Sequence, residues 1–372
     1  MEINKDFWQG KRVFLTGHTG FKGSWMSIWL KMLGAEVTGF ALPPATNPDM
    51  FTVVQNDREI NSIIGDIRDL SLIQRTIKQY KPDIVMHMAA QAIVRQSYRE
   101  PIDTFQTNIM GTANILEAVR DTDTVKAVLC ITSDKCYENR EWVWKYRESD
   151  PVGGWDPYSA SKGCSELVIA SYKNSYFNDD LYDSQGVAVA SARAGNVVGG
   201  GDWGHDRLIP DMIKSFSDGK RVIIRSPNAV RPWQHVIDLL RGYIMLTEKL
   251  YQYGPQYAEA WNFGPIDNDE KTVQEIVNKV SALWGNGASW ELDKNFNPHE
   301  ALSLKLDSSK ARARLGWSSA LDIETTLEYV VQWYKAHHKG EDMFHITSQQ
   351  IQEVEDRYAK SNNPNMKITH NQ

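Results

Sequence analysis

The stretch Thr16-Gly17-His18-Thr19-Gly20-Phe21-Lys22-Gly23 follows directly on a β-rich run at 11–16 (KRVFLT), and it constrains this chain more than any other segment. Glycines three apart allow a tight turn, close approach of backbone to a diphosphate, and close packing of the next helix on the strand. Residues 24–33 then carry apolar side chains at helical spacing and stop at Gly34. The helix therefore points its unpaired N–H groups and positive dipole end at the turn, which suits an anion. The spacing is GxxGxxG rather than the commoner GxGxxG, but its place between a first strand and a first helix predicts a dinucleotide cradle.

The pattern continues in the same sense. Strand-like runs at 36–41, 84–88, 125–131 and 187–192 alternate with helical stretches. Strands separated by helices of ten or more residues predict βαβ units and a parallel sheet covered on both faces. After Gly199-Gly200-Gly201-Asp202 the alternation breaks. Helical patterns at 208–217, 235–250, 273–283 and 323–333 enclose strand-like pieces at 221–225 and 261–263. The fold class expected is α/β: a Rossmann-type doubly wound parallel sheet with a smaller C-terminal α/β substrate-binding region. The division expected is 1–193 for the dinucleotide, joined by returning segments from the second half, then 194–345 for the substrate. A polar tail at 346–372 is read as a surface helix with a frayed end.

Composition narrows the partners. A net charge of −6 argues against a nucleic-acid partner, which needs a cationic face. No run approaches about 18 apolar residues, so no membrane span is expected. Residues 1–10 show no secretory pattern. Cys130, Cys136 and Cys164 lack metal-ligand spacing, which predicts no metal site and a reduced, cytoplasmic chain. Most of the 13 tryptophans are expected in the core.

Asp156-Pro157-Tyr158-Ser159-Ala160-Ser161-Lys162 starts a further helix, with Asp at the N-cap and Pro at the first turn. Tyr158 and Lys162, four apart, share a face. A phenol titrates near ~10, so a neighbouring cation is needed before it serves as a base at neutral pH. The pair suits removal of an alcohol proton as the carbon gives up hydride. At the end of the second strand, where an acid would read the ribose, residues 39–43 are Gly-Phe-Ala-Leu-Pro. That position leaves NAD and NADP open, with Lys22 a feature on the side of NADP.

Together these segments resemble the extended short-chain dehydrogenase/reductase family, nearly the whole chain to about Trp333. His87-Met88-Ala89-Ala90-Gln91, Thr107-Asn108-Ile109-Met110-Gly111-Thr112 and Leu315-Gly316-Trp317 add to the likeness. Within it, the runs at 16–25 (TGHTGFKGSW) and 132–139 (TSDKCYEN) are similar to the sugar-nucleotide 4,6-dehydratases. The resemblance implies NAD as cofactor, CDP-glucose as substrate, and deoxysugar biosynthesis, such as that of lipopolysaccharide O-antigen, as the setting. It implies cofactor contacts from Gly17, Thr19, Gly20, Phe21, Lys22, Gly23, Asp66, Ile67, Ala89, Ala90, Gln91, Asn108, Tyr158 and Lys162. It also implies a homodimer through helices at 102–120 and 158–175.

The same resemblance assigns the chemistry. Ser133 would bond the C4 oxygen and Asp134 would protonate the departing C6 hydroxyl. Lys135 stands where related enzymes carry a glutamate base; it serves either as the C5 base or as a fixed cation stabilising the enolate. Asn196, Arg207, Arg231 and His299 fall on segments that line the nucleotide-sugar diphosphate, with Trp203, Trp233 and His235 either walling the nucleotide or packing. A 4-epimerase or decarboxylase on the same scaffold would not need the acid and base at 134–135. A non-catalytic dinucleotide module would need neither Tyr158 nor Lys162.

Overall fold

A computed structural model of the chain describes residues 2–265, 270–293 and 304–362. The chain lays down β1 (Arg12–Thr16), β2 (Glu36–Ala41), β3 (Asn61–Ile64), β4 (Ile84–His87), β5 (Ala127–Ile131) and β6 (Ala188–Ala194). Three short strands follow, β7 (Asn196–Val198), β8 (Val222–Ile224) and β9 (Val230–His235). The chain then returns as β10 (Ala260–Phe263), before β11 (Glu270–Thr272) and β12 (Trp290–Leu292). The central sheet has the order β10-β6-β5-β4-β1-β2-β3, every neighbouring pair parallel.

Strand residues alternate between two apolar layers, as the pleat dictates. Val13 and Leu15 join the side covered by the helices Phe21–Met32, Val236–Tyr253 and Ile323–His338. Phe14, between them, joins the side covered by Leu70–Tyr80, Gly111–Arg120 and Pro157–Tyr176. The first of these layers runs on without a break into the C-terminal half. The strand-like piece at 261–263 is the returning segment, β10, seated at the sheet edge beside β6. The piece at 221–225 is β8, which pairs with β12. The segment bearing Arg231 is a strand, β9, between β7 and β11, which its sequence did not announce. Trp8, Trp25, Trp29, Trp233, Trp261, Trp284, Trp317 and Trp333 are buried, eight of the 13, in line with a packing role for most tryptophans.

Two helices depart from the sequence expectation. The helix expected at 102–120 is three pieces: Pro101–Phe105, a wider π-type turn at Gln106–Met110, and Gly111–Arg120. The wider turn rotates Asn108 into the interior. The C-terminal helix, Met343–Asn362, is no mere surface element, because Ile351, Val354 and Tyr358 enter the core. The Tyr358 hydroxyl donates to buried Asp238 at 2.7 Å, and Asp238 also accepts the Ala320 N–H at 2.9 Å. The polar composition of this helix hides a single buried face.

The glycine turn sets how near the loops come. Gly17 has φ +79°, and a Cβ there would lie 2.8 Å from the Ala89 nitrogen. A Cβ at Gly23 would lie 2.0 Å from the Gly17 oxygen, so helix and turn touch backbone to backbone. Gly20 is exposed, and its Cβ would meet only the Gly17 oxygen at 3.3 Å. Gly17→Ala is therefore expected to destabilise the ligand-free protein by about 2 kcal/mol or more, from the left-handed backbone and the clash. Gly20→Ala is expected to stay within about 0.5 kcal/mol of the parent, as exposed substitutions do. Urea denaturation of the two variants checks this order.

Candidate active site

Strand order reverses between β1 and β4, and there the loops after the two strands part. The Thr16 hydroxyl spans the floor of the gap. It accepts from the N–H groups of Met88 and Ala89, each at 3.1 Å, and meets His87 Nδ1 at 2.8 Å. Burial pushes His87 down to about 3, so it is a neutral strut, with Thr112 on its other nitrogen. Ala89, Ala90 and Gln91 form the far lip and are half-buried. Asn108 holds this lip: its Oδ1 accepts from the Gln91 N–H at 2.8 Å, and its Nδ2 donates to the Gln91 carbonyl and to Ser161 Oγ. The Gln91 side chain is likewise engaged internally, with Ile93 and Thr104.

The near lip fits a dinucleotide diphosphate. The helix Phe21–Met32 has Gly20 at its N-cap and no side-chain cap, so its first-turn donors are left for a ligand. Thr19 is engaged locally, donating to the Leu42 carbonyl at 2.9 Å. At the end of β2 the His18 ring covers Gly39, whose Cβ would come within 2.4 Å of it. His18 Nε2 meets Ser62 Oγ at 2.8 Å, and burial pushes the ring down to about 4. Asp66 is held below the ordinary carboxylate range by its hydrogen bonds to Arg68, which also reaches Asp103. Ile67 beside it is buried, close against Gly111.

Lys22 points elsewhere than its place in the turn implied. Burial and the cation of Arg207 push it down to about 8, while Asp134 and Asp202 pull it up. Its charge is also felt at Lys162. Lys22 thus belongs electrostatically to the reacting centre, and not to the end of β2 where a 2′-phosphate would be read.

Asp156 accepts from the Ser159 N–H at 2.9 Å and, with Pro157, starts the helix Pro157–Tyr176 as its sequence predicts. Tyr158 and Lys162 are both buried. Burial pushes Tyr158 up to about 12, opposed by its hydrogen bond with Ser133 and the charge of Arg207. Burial and Lys22 push Lys162 down to about 8. The Lys162 ammonium donates to the Ile131 carbonyl at 3.3 Å, and the charge of Arg207 also favours the ionised phenol.

Ser133 lies between the Tyr158 phenol and the Asp134 carboxyl. Its hydroxyl donates to Asp134 Oδ1 at 2.9 Å and accepts from the Lys135 N–H at 3.2 Å, capping the short turn Asp134–Cys136. Burial raises Asp134 above the ordinary carboxylate range, although Lys135, Ser133 and Arg231 pull the other way. Lys135 itself is half-buried. Gly195 leaves room for the acid: a Cβ there would sit 3.1 Å from Asp134 Oδ2.

Arg207 pairs with Asp202 at 3.0 Å while facing Lys22 and Tyr158. Arg231, at the start of β9, is close enough to lower Asp134. Asn196 opens β7, in register with Trp233 of β9. Trp233 is buried and donates to the Lys271 carbonyl at 3.3 Å. His235 caps the helix Val236–Tyr253 by accepting from the Ile237 N–H, and Trp203 packs against Trp333, so all three aromatic residues pack. His299 lies outside the described residues.

Two participants escaped the sequence reading. Glu166 continues the 158–162 spacing by one more helical turn and is buried behind the lysine, a signal that was available. Its partner Arg193, on β6, is buried and turned inward, 2.8 Å from Glu166.

Comparison with known proteins shows the family of the chain. The GDP-mannose 4,6 dehydratase family matches residues 14–330. The chain is 54% identical to the CDP-glucose 4,6-dehydratase of Salmonella typhimurium, over 94% of this chain and 97% of that one. It is 26% identical to the dTDP-glucose 4,6-dehydratase of Xanthomonas campestris, over 86% and 92% of the two chains. Among solved structures, the dTDP-glucose 4,6-dehydratase of Streptomyces venezuelae with NAD bound superposes with a TM-score of 0.75 at 24% identity, covering 90% of this chain and 99% of that one. The UDP-glucose 4-epimerase of Thermotoga maritima matches equally in fold, with a TM-score of 0.75 at 23% identity, covering 88% and 99%. The chain belongs to the GDP-mannose 4,6 dehydratase family, within the extended short-chain dehydrogenases/reductases.

Proposed function

We propose that this protein is an NAD-dependent hydro-lyase that converts CDP-glucose into CDP-4-keto-6-deoxyglucose and water. The observation that carries the reading is the buried carboxyl of Asp134, raised by burial and tied through Ser133 to the phenol of Tyr158. An epimerase needs a base at C4 but no acid beside it. The 54% identity to a CDP-glucose 4,6-dehydratase supports both the reaction and the nucleotide.

The uncapped turn at Gly17–Gly23 and the lip at Ala89–Gln91 would hold NAD, with 1–193 carrying the cofactor and 194–345 the sugar nucleotide. Held there, NAD would supply the hydride acceptor and donor for the cycle. Tyr158, as phenolate, takes the C4 hydroxyl proton, and Ser133 holds the C4 oxygen. The resulting ketone acidifies C5–H, which Lys135 removes as a neutral amine after its ammonium has released a proton to solvent. Asp134 protonates the C6 hydroxyl, which leaves as water. The C5 carbanion equivalent collapses to a C5–C6 double bond, and after hydride addition at C6 the proton on Lys135 returns to C5. Tyr158 has gained one proton and Asp134 has lost one, so solvent exchange restores both. Arg231 and Arg207 suit the diphosphate, with Asn196 alongside.

A homodimer is part of the same proposal. Ile102, Met110 and Leu167 are large apolar side chains exposed on adjoining helical segments, where a second copy would cover them. The cytoplasm is the proposed compartment, consistent with three free cysteines. Among the described residues no helix is long and apolar enough to cross a membrane.

Incubation with CDP-glucose is expected to yield an alkali-sensitive 4-keto chromophore without net reduced cofactor; a galactose epimer would instead establish epimerisation. Asp134→Asn is expected to spare C4 oxidation and to slow elimination by about 10²–10⁴-fold, the usual weight of a positioned acid. Because Asp134 works in its protonated form, elimination in the parent is expected to fall as pH rises through its raised titration.

Lys135→Arg keeps the charge but cannot give up a proton. Solvent deuterium exchange at C5 is expected to be lost in this variant; exchange at the parental rate would make Lys135 an electrostatic stabiliser. For the assembly, Leu167→Glu is expected to give a monomer by light scattering where the parent gives a dimer.

A further inference from the structure

We infer that the buried Arg193–Glu166 pair is a positioning device that clamps the loop bearing Ser133, Asp134 and Lys135 to the helix bearing Tyr158 and Lys162. Its purpose is to keep oxidation at C4 and elimination across C5–C6 in register on one stationary sugar. The inference deepens the proposed dehydration and rests on that reading.

The Glu166 carboxylate accepts four bonds. Oε1 takes the Thr132 hydroxyl at 2.5 Å and Arg193 Nε at 2.9 Å. Oε2 takes the Ser191 hydroxyl and Arg193 Nη2, both at 2.8 Å. The remaining guanidinium nitrogen donates to the Tyr137 hydroxyl at 2.8 Å and to the Glu148 carbonyl at 3.2 Å. Tyr137 in turn donates to Asn262 on β10 at 2.7 Å. Thr132 directly precedes the three loop residues, and Tyr137 follows them by two positions. Both flanks of the loop are therefore anchored, directly or through one guanidinium, to a single carboxylate. That carboxylate sits one turn beyond Lys162 on the face of the catalytic pair.

A second contact secures the same alignment. Gly163, next to Lys162, lies so close to the loop that a Cβ there would come within 2.7 Å of the Gly153 oxygen and 3.3 Å of the Cys136 oxygen. The loop thus docks on the helix through two independent points. Stability alone does not call for this arrangement. Buried ion pairs are commonly replaceable by apolar residues without loss, because desolvation offsets their attraction. What an apolar pair cannot supply is direction: six hydrogen bonds that hold the helix, the flanks of the loop and β6 in one arrangement, with one bond from helix to loop direct and the others routed through β6.

The test separates coupling from folding. Glu166→Gln is expected to leave single-turnover C4 oxidation within about threefold of the parent while slowing C5 exchange and water loss by about tenfold to a hundredfold, so that reduced cofactor and 4-keto hexose accumulate. KM for CDP-glucose is expected to move little against kcat. Amide hydrogen exchange across 132–137 is expected to rise at least about tenfold, with β4 unchanged. The double variant Glu166→Leu/Arg193→Leu is expected to regain the parental melting temperature without regaining elimination; Arg193→Lys serves if it does not fold. Equal slowing of both steps, or full recovery of elimination in the double variant, would overturn the clamp. If the parent forms no keto sugar from CDP-glucose, the dehydratase reading fails; the exchange measurement still judges the clamp, and unchanged protection at 132–137 would overturn it.

Discussion

The site depends on the reversal of strand order between β1 and β4. The chain leaving β1 passes to one face of the sheet, and the chain leaving β4 passes to the other. Two loops that must diverge leave a crevice between them. One hydroxyl stops the crevice from opening too far. Thr16 ends β1 and accepts two N–H groups from the loop after β4, which brings Ala89 within van der Waals reach of Gly17. Glycine at 17 is then obligatory, and the turn around it follows.

Burial does the electrostatic work. Lys22 and Lys162 are both pushed down to about 8 and Asp134 is raised, so these three groups lie nearer neutrality than they would in water. Groups poised in that way exchange protons with small driving force, which is what successive acid and base steps require. The opposed cations Lys22 and Arg207 are balanced by Asp202 and Asp134. A lysine at position 135 also makes sense in these terms. Two adjacent carboxyls in a buried loop would raise one another, whereas an ammonium beside Asp134 restrains its rise.

Local chemistry made much of this legible. The strand at 36–41 and the helix at 208–217 occupy the expected residues, because alternation and capping are local signals. The Asp156–Pro157 helix start is of the same kind. What escaped were properties of partners distant in sequence. Nothing near 260–263 says that this strand pairs with β6, and nothing near 230–235 says that it lies between β7 and β11. Asn108 and Gln91 are cofactor contacts by resemblance, and local sequence gives no sign that they also bond to each other and that Asn108 reaches Ser161, an arrangement set where the π-type turn brings Asn108 inward. Lys22 was judged by its neighbours in the turn, while its charge is set by residues more than 100 positions away.

Fold likeness alone does not decide the reaction, since an epimerase and a dehydratase superpose on this chain equally well. Both share the crevice, the glycine turn and the need for a base at C4. On the proposed reading the distinction lies in three consecutive residues after β5, and in how firmly they are held. A short turn with one free end would let an acid at 134 swing away from a sugar fixed elsewhere. Here Thr132 and Tyr137 tie both ends to Glu166 and Arg193, and Gly163 lets the loop rest on the helix itself. On a common scaffold, the added step then requires an acid and a base, and also a rigid connection between them and the residues that oxidise C4.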